Sequence, residues 1–515
     1  MHVPLAPSFL LRRLLFALIV VAAFWLRTRE LEKRPMHADE ANQAVKLGEL
    51  IEAGEYAFDP RDHHGPTLYY AALPVAWLRG ENSLAALTEK TVRLVPALFG
   101  TLNVILLIAV GAALRRDLGG SERASDVGTR RKAAPITWSA LAAGAFLALS
   151  PPSVYYSRYF IQETLLVTFT LATVFSLQTW WRTGLTRWAV AAGAGAGLMQ
   201  ATKASAPLFL MLIALAWLLT RSGARPATRR PRRDLAFGVL GALFTAGLLY
   251  ASFGTHPAGL RDALGAYGHA ITRFGAEAAP TGHEKPWWYY LKLFGWYRQG
   301  GLVWHQLAFS ALAVAGLAVA WVRRDAFLRG VALYALGVIA VFSVFAYKTP
   351  WHVVHFVPAL ALLAAGALAA IARLRTGRPV AAAFALVVIA TLYQQTGRVA
   401  FLRPADQRNP YAYVHSSSDV LKFRPLADAT LAARPEGANR SIHVISEEYW
   451  PLPWYLRGLP RVGYHLTPPE NCDGALVIVS NAQADAVRAR LRGTYRETFL
   501  GLRPGFVCVL FVAEP

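Results

Sequence analysis

Charge is what this sequence has little of. Only 16% of its 515 residues are Asp, Glu, Lys or Arg, where a soluble chain carries nearer a quarter. With 55% hydrophobic residues there is too little polar surface for a water-soluble globule of this length. Cysteine is almost absent: two in 515 residues exclude a disulfide-built scaffold. Both, Cys472 and Cys508, fall in the last tenth of the chain, where an oxidising compartment could join them. Acids are scarce too, 31 against 53 Lys and Arg, which leaves a net charge of +22. The basic residues form short clusters between apolar runs, which excludes a continuous phosphate-binding face, so no nucleic-acid partner is expected.

What the chain has in abundance is apolar sequence. A hydrocarbon core about 30 Å thick needs roughly 20 apolar helical residues. About eleven runs approach that length: 10–27, 92–114, 134–150, 163–181, 187–202, 205–220, 235–253, 302–322, 330–347, 351–371 and 379–396. Several are rich in Ala and Gly, as in AVAAGAGAGL at 189–198. Small residues let helices close up in lipid, so a packed bundle is expected. The loops alternate in character. Residues 115–132 and 221–234 carry six basic residues each, and 323–329 and 373–378 three each, whereas 28–91 hold eleven acids against seven bases. Basic loops stay inside, which predicts a multi-pass protein of the cytoplasmic (inner) membrane with its N-terminus cytoplasmic. Residues 66–79, PTLYYAALPVAWLR, are too short to cross and read as interfacial. The first run lacks a small-residue cleavage site ahead of the charged 27–34 and reads as an uncleaved anchor.

Past residue 397 the pattern changes. SIHVIS (441–446), GALVIVS (474–480) and FVCVLFVA (506–513) read as buried strands, with NAQADAVRARLR (481–492) as a helix behind them. The expected fold class is an all-α polytopic membrane domain with about 11 transmembrane helices, residues 1–396, followed by a small extracytoplasmic α/β domain, residues 397–515.

The polar residues gather on the outer side. ADEANQAVKLGELI (38–51) has helical spacing, with Ala41, Ala44, Val45, Leu47, Leu50 and Ile51 on one face, so it should lie along the membrane surface. Asp39 and Glu40 fall in its first turn, where acids favour the helix dipole. DPRDHHGPTLYY adds Asp59, Asp62, His63, His64 and Tyr69. SPPSVYYSRYFIQET (150–164) puts Arg158, Tyr159 and Glu163 where the fourth run begins, a boundary at which an ionisable group is costly unless paired or wet. GHEKPWWYY (282–290) and YKTPWHVVH (347–355) add Lys285, Lys348, Trp351, His352 and His355. Carboxylates can act as general bases, and Arg or Lys can hold a lipid phosphate. Aromatic faces can stack on sugars, although most of the fifteen Trp suit the interfacial belt. His37, Glu40 and His64 could hold a divalent metal, but the histidines lack a diagnostic ligand spacing. In EYWPLPWYLRG (448–458), Trp450, Trp454 and Tyr455 could bind a glycan or dock the second domain.

A first span followed at once by an outer acidic dyad, surface helices and a multi-span body resembles the GT-C glycosyltransferases, family 39-like. The likeness is to the branch of protein O-mannosyltransferases and aminoarabinose lipid A transferases. The phrases MHADEANQAVKLGELIEAGEYAFDPRDHHGPTLYY, SRYFIQETLL, EKPWWYYL, KTPWHVVHF and EYWPLPWYLRG resemble a prokaryotic subgroup of predicted, flippase-associated membrane glycosyltransferases. The resemblance implies a GT-C type fold and a polyprenyl-phosphate-linked sugar as donor. The acceptor would be a lipid, glycan or protein, with inverting chemistry on the outer face. It implies Asp39 as general base, Glu40 as its dyad partner, and Glu163 orienting the acceptor or a lysine. Arg158, Tyr159, Lys348 and Lys285 would hold the donor phosphate, and His63, His64, Tyr69, Trp351 and His352 would line the cavity. Some relatives bind a divalent metal there and others do not. A flippase for lipid-linked sugars and a non-catalytic assembly subunit are the alternatives. Acids gathered on one face, with spans mostly free of interior charge, favour the enzyme.

Overall fold

The structure is a computed structural model that describes residues 7–60, 64–112, 136–220, 227–274, 283–435 and 437–514. His63, Asp62, the basic loop at 115–132 and the first part of the basic loop at 221–234 lie outside the described residues. Every expected apolar run coincides with a helix: Pro7–Thr28, Glu89–Gly111, Trp138–Leu149, Glu163–Thr183, Thr186–Gln200, Ala206–Thr220, Pro231–Tyr250, Leu307–Val322, Ala326–Val344, Val357–Ile371 and Gly377–Gly397. Among the described residues, six helices are long and apolar enough to cross a membrane: Ser8–Thr28, Glu89–Gly111, Pro231–Tyr250, Ala326–Val344, Pro350–Ile371 and Gly377–Leu402. The protein is a multi-pass membrane protein. The segment read as interfacial forms the helix Thr67–Leu78, whose 12 residues span about 18 Å and fall short of a bilayer core.

The run at 302–322 is not helical from its start. Leu302–His305 form strand β2, paired antiparallel with β1, Trp296–Gln299, and the helix begins only at Leu307. Gly300 and Gly301, at φ 53° and 77°, make the two-residue turn. Such a turn needs positive φ at both positions, which Gly supplies without strain.

The chain divides into two compact units. The first holds Met1–Arg29, Glu55–Tyr70 and Leu94–Leu402. Its innermost helix is Val357–Ile371, buried from Val357 through Leu368 except at Leu360 and packed against Leu307–Val322, Trp138–Leu149, Ala326–Val344 and Gly377–Gly397. The Ala/Gly-rich run does what its composition predicts. Thr186–Gln200 lies against Pro231–Tyr250 so closely that a Cβ on Gly193 would stand 1.8 Å from the Gly238 carbonyl oxygen, and one on Gly197 2.5 Å from that of Ala242.

The second unit holds Glu30–Gly54, Ala71–Arg93 and Arg403–Pro515. Five strands form one sheet in the order β4-β3-β5-β7-β6: Val462–His465, Ile442–Ile445, Leu476–Ser480, Phe506–Ala513 and Tyr495–Arg503. β3 pairs in parallel with β4 and β5, while β7 runs antiparallel to β5 and β6. Ile445, Val477, Val479, Val487, Val509 and Phe511 form the core on one face. The helix expected over 481–492 is a 3-10 turn at Asn481–Gln483 followed by Ala484–Arg488. Cys472 and Cys508 are both free and buried. Burial pushes the Cys508 thiol up to about 12, so it is protonated and inert at neutral pH.

Gly193→Val should force the two helices apart at their contact, at a cost of about 1–3 kcal/mol. Thermal unfolding of the purified protein in detergent should register a lower midpoint, whereas Gly268→Val, where an added Cβ meets nothing within 4 Å, should shift it much less.

Candidate active site

Residues 34–40 of the second unit are built around one carboxylate. Glu40 is fully buried, and both of its oxygens accept from the Arg34 Nη2 at 3.0 Å. Arg93 Nε and Nη2 donate to its two oxygens at 2.9 Å, and the backbone N–H of His37 adds a bond of 3.1 Å. The remaining donors of Arg93 reach the carbonyls of Leu31, Arg34 and Pro35 at 2.7, 2.8 and 3.0 Å. One guanidinium in the first turns of Glu89–Gly111 thus fastens the chain entering the helix Ala38–Ala53. Burial by itself would raise the Glu40 carboxyl. The charges of Arg34 and Arg93, with the bonds from Arg93 and His37, override it and bring it from 4.5 down to about 2.

The same helix start presents Asp39 differently. His37 is the N-cap: its Nδ1 accepts from the Asp39 N–H at 3.1 Å, while the Glu40 carboxylate closes the reciprocal half of a capping box. His37 Nε2 stands 3.1 Å from the Tyr413 carbonyl, to which it donates. Neighbouring helical residues point about 100° apart, so with Glu40 facing in, Asp39 faces out, its side chain 52% exposed and 3.9 Å from His37. This donor set does not fit the metal role read from the sequence. A cation at His37 and Glu40 would have to displace two guanidiniums and the cap, and no group of three or more His, Cys, Asp or Glu side chains among the described residues is arranged to hold one.

EYWPLPWYLRG is a docking segment within this unit. Trp454, fully buried, donates from Nε1 to Glu89 at 2.7 Å, and the Tyr455 hydroxyl accepts from the Met36 N–H at 2.8 Å. Arg457 stacks 3.8 Å over the Trp454 ring and bonds the Leu87 carbonyl. The helix Ala38–Ala53 and the arginine that fastens it are held by the C-terminal sequence.

In the first unit Glu163 opens the helix Glu163–Thr183 and is ion-paired with Lys203. Lys203 lies between Thr186–Gln200 and Ala206–Thr220, where residues 201–203 run antiparallel to 64–67. His64 bridges Lys203 through the backbone, Gly65 N–H bonds the Thr202 carbonyl at 3.0 Å, and Thr67 bonds Thr202 through the hydroxyls at 2.8 Å. His64 and His355 are further electrostatic neighbours of Glu163. Lys203 is the lysine for which the sequence reading left a place and found no candidate. It is a lone cation between two apolar runs, and that isolation was its signal.

Arg158 caps the end of Pro7–Thr28: its Nη1 donates to the carbonyls of Leu26 and Arg29 at 3.3 and 2.5 Å. Tyr159 is buried, its hydroxyl 2.9 Å from that of Tyr155 within a cluster of three tyrosines. Tyr69 is buried against Tyr56, ring centroids 4.9 Å apart, so its ring is core rather than an open stacking face. The motifs at 282–290 and 347–355 meet. Lys285 N–H bonds the Ala346 carbonyl at 3.0 Å, the buried Lys348 ammonium donates to the carbonyls of Lys285 and Phe345, and the Tyr290 hydroxyl lies 3.2 Å from His352 Nδ1. Trp351 follows on the same turn, its ring centroid 6.5 Å from that of His352.

The Glu40 clamp has a pH signature. A carboxyl near 2 when folded and near 4.5 when unfolded stabilises the fold in full above pH 4.5, and this contribution is lost as pH falls toward 2. Glu40→Gln should therefore lower the melting midpoint at neutral pH, and its deficit against wild type should shrink as pH falls below 4.5. Arg93→Met, which strands the buried carboxylate, should cost about 3–5 kcal/mol at neutral pH.

Residues 131–250, which include Arg158, Glu163 and Lys203, match the family model of dolichyl-phosphate-mannose-protein mannosyltransferases. No curated protein matches the chain. Among solved structures, apo ArnT from Cupriavidus metallidurans is similar with a TM-score of 0.64 at 16% identity, over 99% of this chain and 100% of that one. ArnT bound to undecaprenyl phosphate gives 0.63 at 16%, again over 99% and 100%. The archaeal oligosaccharyltransferase AglB from Archaeoglobus fulgidus, in complex with an inhibitory peptide and a dolichol-phosphate, gives 0.54 at 12%, over 95% of this chain and 73% of that one. The likeness over nearly all of this chain and the whole of ArnT shows that the chain has the ArnT fold.

Proposed function

We propose that the protein is an integral membrane glycosyltransferase that moves a sugar from a polyprenyl-phosphate carrier to a lipid, glycan or protein acceptor on the outer face of the cytoplasmic membrane. The observation that carries this reading is the division of labour in the acidic dyad: Glu40 is locked by two guanidiniums, while Asp39 beside it keeps an accessible carboxylate on a rigid helix start. The fold adds support, since ArnT has been solved with undecaprenyl phosphate and AglB with a dolichol-phosphate.

In this reading Asp39 takes the proton from the acceptor hydroxyl as its oxygen bonds to the anomeric carbon. The bond from that carbon to the phosphate oxygen breaks, its electron pair stays on the phosphate, and configuration inverts. Glu40 is a positioning residue that fixes the helix start. Arg158 and Lys285 meet the phosphate. Lys203 is an additional cation for the departing charge, and Glu163 holds it in readiness. Lys348, with its ammonium already on two carbonyls, ties the motifs at 282–290 and 347–355 together, and Tyr159 supports the Arg158 loop from within its tyrosine cluster. His64, Trp351 and His352 are the residues proposed to contact the sugar or acceptor.

Transfer from a radiolabelled polyprenyl-phosphate sugar by membranes carrying the protein tests the assignment. Asp39→Asn should lower the rate about 100-fold or more while the melting midpoint stays near wild type. Glu163→Gln and Lys203→Met should each lower it, and the double variant should be no worse than the poorer single one. Full activity in Asp39→Asn would remove Asp39 as the base. Translocation of carrier-linked sugar without any transfer product would favour the flippase.

A further inference from the structure

Among the described residues, Arg29 and Arg398 of the first unit, like Arg27 there, meet no carboxylate, in contrast to six arginines of the second unit. Arg34, Arg93, Arg403, Arg408, Arg424 and Arg488 each face an Asp or Glu within 3.0 Å. Arg29 stacks on Trp25 at 4.1 Å and on Phe401 at 3.7 Å, and its Nε is buried with no hydrogen-bond partner. Arg398 donates to the Val303 carbonyl at 3.0 Å and lies 5.0 Å over Trp304. Neither has a carboxylate partner among the described residues. A third guanidinium, that of Arg158, stands 4.7 Å from the Phe401 centroid and adds positive charge.

Between Arg29 and Arg398 lies a cavity of about 470 Å³ whose walls include Leu26, Tyr393, Phe401 and Leu402 and no acid. It is shaped by a change of helix type. The last membrane-crossing helix continues past Gly397 as a π-helical turn, Arg398–Leu402, which supplies both Arg398 and Phe401 to the walls. Single π turns are frequent at functional sites because the wider turn re-aims side chains. Tyr393 and Leu402 are 56% and 76% exposed, so the rim is apolar and open at the end of a helix that crosses the membrane. Two unpaired cations beside exposed hydrocarbon match an amphiphile with an anionic head and an apolar tail. Guanidinium is also the side chain best suited to phosphate oxygens.

We propose that this cavity holds the phosphate of an anionic membrane lipid, gripped by Arg29 and Arg398, with the first methylenes of its chains along Leu26, Tyr393 and Leu402. Basic pockets between membrane helices recognise anionic headgroups in this way, whereas a zwitterionic headgroup brings its own cation against the arginines. The site adjoins Arg158, which the proposed function assigns to the donor phosphate, and it is read by binding alone.

The test is native mass spectrometry of the full-length protein in mild detergent, titrated separately with dioleoyl-phosphatidylglycerol, dioleoyl-phosphatidylcholine and inorganic phosphate. Wild type should retain phosphatidylglycerol in preference to phosphatidylcholine. The Arg29→Gln/Arg398→Gln pair should weaken that retention about tenfold, and Arg298→Gln, at an exposed arginine on β1, should leave it unchanged. Should the double variant aggregate, Arg398→Gln alone should still show the loss. Equal retention of the two lipids, or undiminished phosphatidylglycerol binding in the variants, overturns the proposal. Binding of inorganic phosphate with no lipid adduct replaces the lipid with a free anion and overturns it equally.

Discussion

The arrangement of the candidate site depends on one buried ion cluster, Glu40 between Arg34 and Arg93. A carboxylate out of water is tolerable only when its lone pairs are met, and here five hydrogen bonds from four nitrogens meet them. Arg93 is equally committed, since all its N–H groups reach Glu40 or the carbonyls of Leu31, Arg34 and Pro35. The cluster converts a loop into a fixed platform. It sets where the helix Ala38–Ala53 begins, and with that the direction in which Asp39 points. Of the Asp-Glu pair, one carboxylate is therefore locked in the interior and the other left exposed, a single helical step apart.

The first unit handles its cations by another route. The chain has 31 acids for 53 Lys and Arg, so most buried cations cannot be paired with carboxylates. Arg27, fully buried, donates to the carbonyls of Ala23, Leu147 and Ala148 and to the Ser153 hydroxyl. Arg158 meets the Arg29 carbonyl and Lys348 that of Phe345, each left open where a helix ends. Helix C-termini act as the missing anions, and basic residues are tolerated at span ends because of it. Against that background the Glu163–Lys203 pair is the exception: a carboxylate and an ammonium that hold each other.

Much of the scaffold was legible in the sequence because lipid imposes a length rule. Each of the eleven apolar runs coincides with a helix, six of them long enough to cross a membrane among the described residues, and AVAAGAGAGL gave the close contact with Pro231–Tyr250. Strands β3, β5 and β7 were legible as short apolar runs. β4 and β6 were not, since Val462–His465 is half-buried throughout and Tyr495–Arg503 carries three charges at the sheet edge. The β1–β2 hairpin was hidden by its own composition, LVWH being as apolar as the helix it precedes. Which residues would matter was legible from their chemistry, but their partners were not. Glu40 and Arg93 are 53 residues apart, and Glu163 and Lys203 are 40 apart. No local pattern encodes such pairings, so the roles of Glu40 and Lys203 emerge only from the fold.

The central claim is that Glu40 and Arg93 act as one unit. A double-mutant cycle of Glu40→Gln and Arg93→Met, read as unfolding free energy in detergent micelles at neutral pH, tests it most directly. The account predicts a coupling of about 2–3 kcal/mol, with the double variant more stable than the sum of the single losses allows. Losses that add to within about 0.5 kcal/mol would contradict it.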